Sequence, residues 1–227
     1  MEIRYEKHWS GNLNRFMEFK IYGSTGKPVL FIPCQAGRFW DFESFKMTDT
    51  WAPWIESGEV MVFSCDSIDN EAWAALGADN RWRIENHEKW FNYITTELVP
   101  AIHFISGRYD IMTFGASMGG LMSLYAATCY NKVFSKAACL SPSLWTNPEK
   151  LRKLIGKAKI APDTTIYMDY GSEELANHGA NKEALIAMTG KLLEKNVNLA
   201  FRIVPGGNHS EGSWEKQIPI FMDCLGL

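Results

Sequence analysis

The sequence predicts a three-layer αβα domain on a mainly parallel sheet of about eight strands, with an antiparallel hairpin at its N-terminus. Two patterns predict it. Short apolar runs alternate with helix-length segments along most of the chain, the rhythm of strand–helix–strand units. Several of those runs also lack the every-other-residue polarity of a half-solvated strand, as strands covered on both faces do. Size agrees with this. The 227 residues, 46% hydrophobic and 22% charged, suffice for one large core and contain no linker, repeat or low-complexity tract. A single domain over 1–227 is therefore expected, with a small cap segment at 67–86.

Taken in order, "EIRYEKHWS" and "RFMEFKIYG" each alternate and are separated by "GNLN", which makes the hairpin. Short apolar runs follow as "PVLFIP" (28–33), "EVMVFSC" (59–65), "DIMTFG" (110–115), "FSKAACLS" (134–141), "TTIYMDYG" (164–171) and "NLAFRIVPG" (198–206). Helices are expected near 42–57, 85–105, 118–130, 148–157, 177–196 and 212–225. The stretch from Ser67 to Asn86 is the least regular; following a buried strand, it belongs over the carboxyl edge of the sheet as the cap.

Composition excludes several classes. A net charge of -3 and a pI near 6.0 give no electrostatic case for nucleic acid or an anionic membrane as partner. The five cysteines, Cys34, Cys65, Cys129, Cys139 and Cys224, are odd in number, widely spaced and mostly in apolar runs, with no C-x-x-C pair. They read as reduced core residues, not as a metal knuckle or disulfide frame. The N-terminus lacks a basic-then-apolar leader and no run approaches a membrane span, so a soluble cytoplasmic protein is expected. Nine tryptophans and thirteen phenylalanines exceed the needs of the core, and some are expected to line a pocket or a partner surface. The oligomeric state, homo-oligomer included, stays open.

The chemistry concentrates at "TFGASMGG". Here "GASMG" is a G-x-S-x-G match between a strand-like and a helix-like segment, the context a nucleophile elbow needs. Ser117 would sit on the sharp turn, and the Met118 amide at the helix start would face a developing oxyanion. A neutral serine needs a base. His209, on the Gly-rich loop "PGGNHSEGSW" after the last strand, is that base. His8, His87, His103 and His178 read as surface or structural residues, His178 opening a helix. For the acid, Asp169, Glu173 and Glu174 compete after the penultimate strand. Glu174 lies far enough beyond Gly171 to curl back and hold the imidazole, whereas Asp169 still belongs to the strand and Glu173 suits a solvated helix start. A second oxyanion donor should come from "PCQAGRFWDF", where Gly37 allows close approach and the amide of Arg38 or a neighbour donates.

At these residues the sequence resembles the Putative esterase family of α/β-hydrolases, which includes enterochelin-type siderophore esterases, feruloyl esterase domains, S-formylglutathione hydrolases and mycolyltransferases. The resemblance runs from about Pro28 to Trp214 and is carried by "GASMGG", "CLSPSLW", "MDYGSEE" and "GGNHSEGSW", in the family's order. It implies an α/β-hydrolase fold with Ser117 as nucleophile, Glu174 as acid, His209 as base and an oxyanion hole from Met118 and the Gly37–Arg38 loop. Trp145 falls where relatives place substrate-contacting aromatics. Two departures stand out: Glu where many relatives have Asp, and "PCQAGRF" where His-Gly-Gly is more typical. The expected activity is hydrolysis of a small-molecule carboxylic ester through an acyl-enzyme, needing neither metal nor organic cofactor. Acyl transfer on the same residues, and a non-catalytic binding module on the fold, are the alternatives.

Overall fold

The computed structural model describes every residue except Asn147 and His178, and side chains except those of 148–149, 151–152 and 179–181. The helix start expected at His178 thus lies outside the described residues. The fold is three-layered, with helices covering a mostly parallel eight-stranded sheet that carries an antiparallel hairpin, the α/β-hydrolase architecture. Two compact units make up the chain, Met1–Ile111 and Met112–Leu227.

In the first unit, β1 (Ile3–Ser10) and β2 (Arg15–Tyr22) form the hairpin, in register from Ile3 opposite Tyr22 to Ser10 opposite Arg15. Next come β3 (Lys27–Ile32) and β4 (Val60–Cys65), and the strand order is β1-β2-β4-β3. The pair β2–β4 is antiparallel and β3–β4 parallel. Hydropathy explains the placement: every residue of β4, and all of β3 after Lys27, is buried, whereas β2 alternates buried Met17, Phe19 and Ile21 with more exposed Glu18 and Lys20 before ending on buried Tyr22. Helices α1 (Asp41–Ser44) and α2 (Met47–Glu56) bury Phe42, Trp51 and Ile55.

The helix expected over 85–105 is longer and interrupted. α3 (Asn80–Tyr93) starts early because the Asp79 carboxylate caps it, accepting from the amides of Arg81 and Trp82. A π-turn, Ile94–Leu98, then leads into α4 (Val99–Ser106), where Pro100, lacking an N–H, occupies the first turn. The 67–86 stretch holds only a 3-10 turn, Asp69–Glu71, before α3. Its loop is fastened to that helix: buried Arg83 donates to the carbonyls of Ala72 (3.0 Å) and Trp73 (2.6 Å), and Asn86 to that of Glu71 (2.8 Å).

The second unit contains β5 (Ile111–Ala116), β6 (Phe134–Leu140), β7 (Thr165–Gly171) and β8 (Asn198–Val204) in sequence order, with β6–β7 and β7–β8 parallel. Helices α5 (Met118–Cys129), α6 (Pro148–Lys157), α7 (Ser172–Asn177), α8 (Gly179–Glu194), α9 (Glu211–Trp214) and α10 (Ile218–Leu225) connect and follow the strands. α5 is apolar all round and buried along nearly its whole length. None of the five cysteines is in a disulfide; Cys65 and Cys139 are in the core, but Cys224 is exposed on α10, contrary to its apolar sequence context. Among the described residues no helix is long and apolar enough to cross a membrane.

Candidate active site

Ser117 is the single residue between β5 and α5. Its φ of 56° and ψ of -119° lie where a side chain strains the backbone, and the surroundings hold it there. Its amide donates to Leu140 O (2.9 Å), and its carbonyl accepts from Leu121 N (3.1 Å) and Ser143 N (3.0 Å). Gly120 lets α5 come this close: a Cβ there would stand 2.8 Å from Leu140 O and 3.2 Å from Pro142 Cα. Met118 opens α5, at the end where amide hydrogens have no acceptor within the helix.

Where β7 ends, α7 begins at once, and its first turn sets the competing carboxylates apart. Glu174 is buried and Glu173 exposed. The loop bearing His209 is stitched to the same turn: Glu173 N donates to Gly207 O (3.0 Å) and Gly206 N to Ser172 Oγ (2.9 Å). The His209 ring then spans two partners, with Nδ1 3.0 Å from Glu174 Oε1 and Nε2 2.9 Å from Ser117 Oγ. Trp214 packs edge-on against the imidazole at 5.0 Å and anchors itself through Nε1 to Ser141 Oγ (3.1 Å). A buried carboxylate is an acceptor, so the proton sits on Nδ1 and leaves Nε2 as the acceptor facing the serine. Glu174 Oε2 is buried with no hydrogen-bond partner among the described residues, so the carboxylate's bonding is directed at the histidine.

Asp169 faces elsewhere. Its oxygens lie 3.0 Å from the Tyr167 hydroxyl and 3.3 Å from the Ser141 amide, inside β7. Burial, reinforced by the charge of Glu174, pushes its carboxyl up to about 7, against hydrogen bonds from Tyr167 and Ser141 that favour the ionised form. Ser143, which the sequence reading passed over, lies with Oγ 3.2 Å from Ser117 Oγ. The available signal was the "CLSPSLW" motif, read only for its tryptophan; Trp145 itself is 42% exposed in the following turn.

The amides of Gly37 and Arg38, expected as oxyanion donors, have partners of their own. Gly37 N donates to Cys34 O (2.9 Å) and Arg38 N to Asp41 Oδ2 (3.1 Å), so both hydrogens are already committed within their own loop. The Arg38 side chain is likewise engaged, by Asp66 (2.7 Å) and Glu18 (3.2 Å), with its guanidinium over the Trp40 ring. Of the remaining histidines, His87 accepts from Trp73 Nε1 (2.6 Å), the His103 ring packs at a tilt against Tyr109 at 4.6 Å, and burial lowers the pKa of His8.

Such a fold, with a serine–histidine–carboxylate contact at the turn between β5 and α5, belongs to the class of serine-hydrolase-type α/β-hydrolases. The family model described as "Putative esterase" matches residues 10–221, and the chain belongs to that family. Among solved structures it is similar to a ferulic acid esterase, at 15% identity and TM-score 0.67, covering 99% of this chain and 96% of that one. It is similar also to an S-formylglutathione hydrolase from Agrobacterium tumefaciens (15%, TM-score 0.70, 99% and 95%). A third is the enterobactin esterase of Shigella flexneri (21%, TM-score 0.72), of which the chain covers 58% while 99% of its own length is matched. At these identities the structural likeness establishes the fold. No curated protein matches the chain.

Proposed function

We propose that the protein hydrolyses carboxylic esters through a serine–histidine–glutamate triad and an acyl-enzyme. One observation carries the reading: His209 lies within hydrogen-bond reach of both Ser117 Oγ and the buried Glu174 carboxylate. Ser117 Oγ attacks the ester carbonyl as its proton passes to His209 Nε2, and Glu174 steadies the imidazolium that forms. The Met118 amide donates to the tetrahedral oxyanion. His209 returns the proton to the departing alkoxide, and water then repeats the sequence on the acyl-enzyme. Trp145, exposed two residues after Ser143, contacts substrate in this reading.

The test is turnover of p-nitrophenyl acetate and a panel of esters and thioesters by the wild type and by Ser117→Ala. The serine variant is expected to lose roughly 10³-fold or more in kcat, as nucleophile removal does in such triads. A fluorophosphonate probe should label the wild type at Ser117 and leave the variant unlabelled. Full activity in Ser117→Ala, or a wild type inert across the panel, would overturn the proposal.

A further inference from the structure

Beyond the triad, one more hydroxyl reaches the reacting oxygen. The chain leaves β6 through Ser141, whose φ of 40° turns it back toward the elbow. Each of the next residues is then fixed. Ser141 Oγ accepts from Trp214, the Tyr170 hydroxyl donates to Pro142 O, and Ser143 N donates to Ser117 O at 3.0 Å. The carbonyl of Ser143 accepts from Thr146 through both Oγ1 (2.9 Å) and N (3.2 Å). With its backbone held on both sides and the residue only 3% exposed, Ser143 presents its Oγ 3.2 Å from Ser117 Oγ. Among the described residues that oxygen is the only hydrogen-bond partner of the Ser143 hydroxyl.

Counting protons fixes the direction of this bond. Glu174 takes the Nδ1 hydrogen of His209, so Nε2 must accept, and the single hydroxyl proton of Ser117 goes to it. Ser117 Oγ then has only lone pairs to offer Ser143. The donor is Ser143. From this geometry we infer that Ser143 is a fourth catalytic residue, its O–H donating to Ser117 Oγ whenever that oxygen carries negative charge. The inference rests on the reading of Ser117 as nucleophile.

The step it serves is departure of the serine in deacylation. Water adds to the acyl carbonyl and gives a proton to His209 Nε2. The tetrahedral intermediate then collapses: the carbon–Oγ bond breaks, its electron pair moves to Ser117 Oγ, and the His209 proton follows. Ser143 keeps its own proton throughout and stabilises the alkoxide as it forms. Hydrogen bonds to charged oxygens are worth about twice those to neutral ones, so the hydroxyl favours the departing state over the resting ester.

Steady-state kinetics on p-nitrophenyl acetate test this with Ser143→Ala, Ser143→Thr and Ser117→Ala beside the wild type. Ser143→Ala is expected to lower kcat by about 10- to 30-fold, as loss of one donor to a developing charge does. The same charge develops on Oγ as Ser117 attacks, so kcat/KM should fall as well, with the melting temperature unchanged. Threonine restores the hydroxyl and should recover most of the kcat. Turnover by Ser143→Ala within twofold of the wild type, or a threonine variant that folds yet is as slow as alanine, overturns the inference. If threonine does not fit, alanine decides alone, since it only removes an oxygen. A proportional loss of kcat/KM with a lowered melting temperature would mark a packing role and also overturn it. Activity in Ser117→Ala, by contrast, brings down the nucleophile reading itself.

Discussion

Carboxylates near a histidine are told apart by where their oxygens point, which a sequence shows poorly. Three acids fall within six positions at the end of the penultimate strand and just beyond it, and their roles depend on α7 starting directly after Gly171. That start turns Glu174 inward against His209 and Glu173 outward, while the strand keeps Asp169 on Tyr167 and Ser141. Glu174→Gln should therefore lose on the order of 10³-fold in kcat/KM, because an amide no longer enforces the histidine tautomer or steadies its charge. Asp169→Asn should stay within about tenfold and Glu173→Gln near the wild type. Ester hydrolysis by the purified variants checks the order, and equal losses in Glu174→Gln and Glu173→Gln would refute it. Ser117 and His209 were legible because each sits in a short motif whose flanking pattern sets its geometry. Ser143 was not, since its importance lies in a contact 26 residues away along the chain.

At the level of elements, the apolar runs read from sequence fall within a residue or two of the strands. "TTIYMDYG" becomes Thr165–Gly171 and "DIMTFG" becomes Ile111–Ala116. Burial on both faces writes a continuous signal. Helix ends were harder, because caps and interruptions depend on single residues: Asp79 moves the start of the 85–105 helix forward, and the π-turn before α4 breaks that same helix. What positions the histidine loop was also hidden. A Cβ on Gly171 would collide with the carbonyl of Gly207 and come within 2.8 Å of Asn208 N, so only glycine lets β7 and the His209 loop meet. Backbone atoms on a stitched loop cannot swing aside as a side-chain tip would. Gly171→Ala should displace the loop and lower kcat by about tenfold or more, since small misplacements of a catalytic group are costly. It should also destabilise the fold by about 1–3 kcal/mol through overpacking. Thermal melting and turnover measured together test both parts. A variant matching the wild type in each would show that the contact does not set the loop.

For the molecule as a whole, the pH dependence of stability should be shaped by opposing carboxylates. On the acid side, Arg108 first and Lys27 next hold Asp110 below the usual range, and Arg15 does the same for Glu71. Such depressed groups stabilise the fold above their unfolded pKa and lose that contribution as pH falls through the folded value. Both pairs are partly solvated, with Asp110 45% exposed, so the loss in acid should be small. Asp169 has the reverse sign and is buried. Its folded pKa of about 7 lies above the reference 3.8, so the folded state binds the proton more tightly. Its stabilising effect is full below about pH 4, declines between there and 7, and is gone above, a span worth on the order of 4 kcal/mol. Asparagine reproduces the protonated form, its oxygen accepting from Ser141 N and its amide donating to Tyr167, whose own proton turns toward Gln217 Oε1 at 3.5 Å. Asp169→Asn should therefore melt with the wild type near pH 4 and outlast it by about 5 °C or more at pH 8, given a few degrees per kcal/mol at this chain length. Melting curves from pH 4 to 9 measure the divergence directly. Parallel curves for the two proteins across that range would mean that Asp169 ionises in the fold as freely as it does in the unfolded chain.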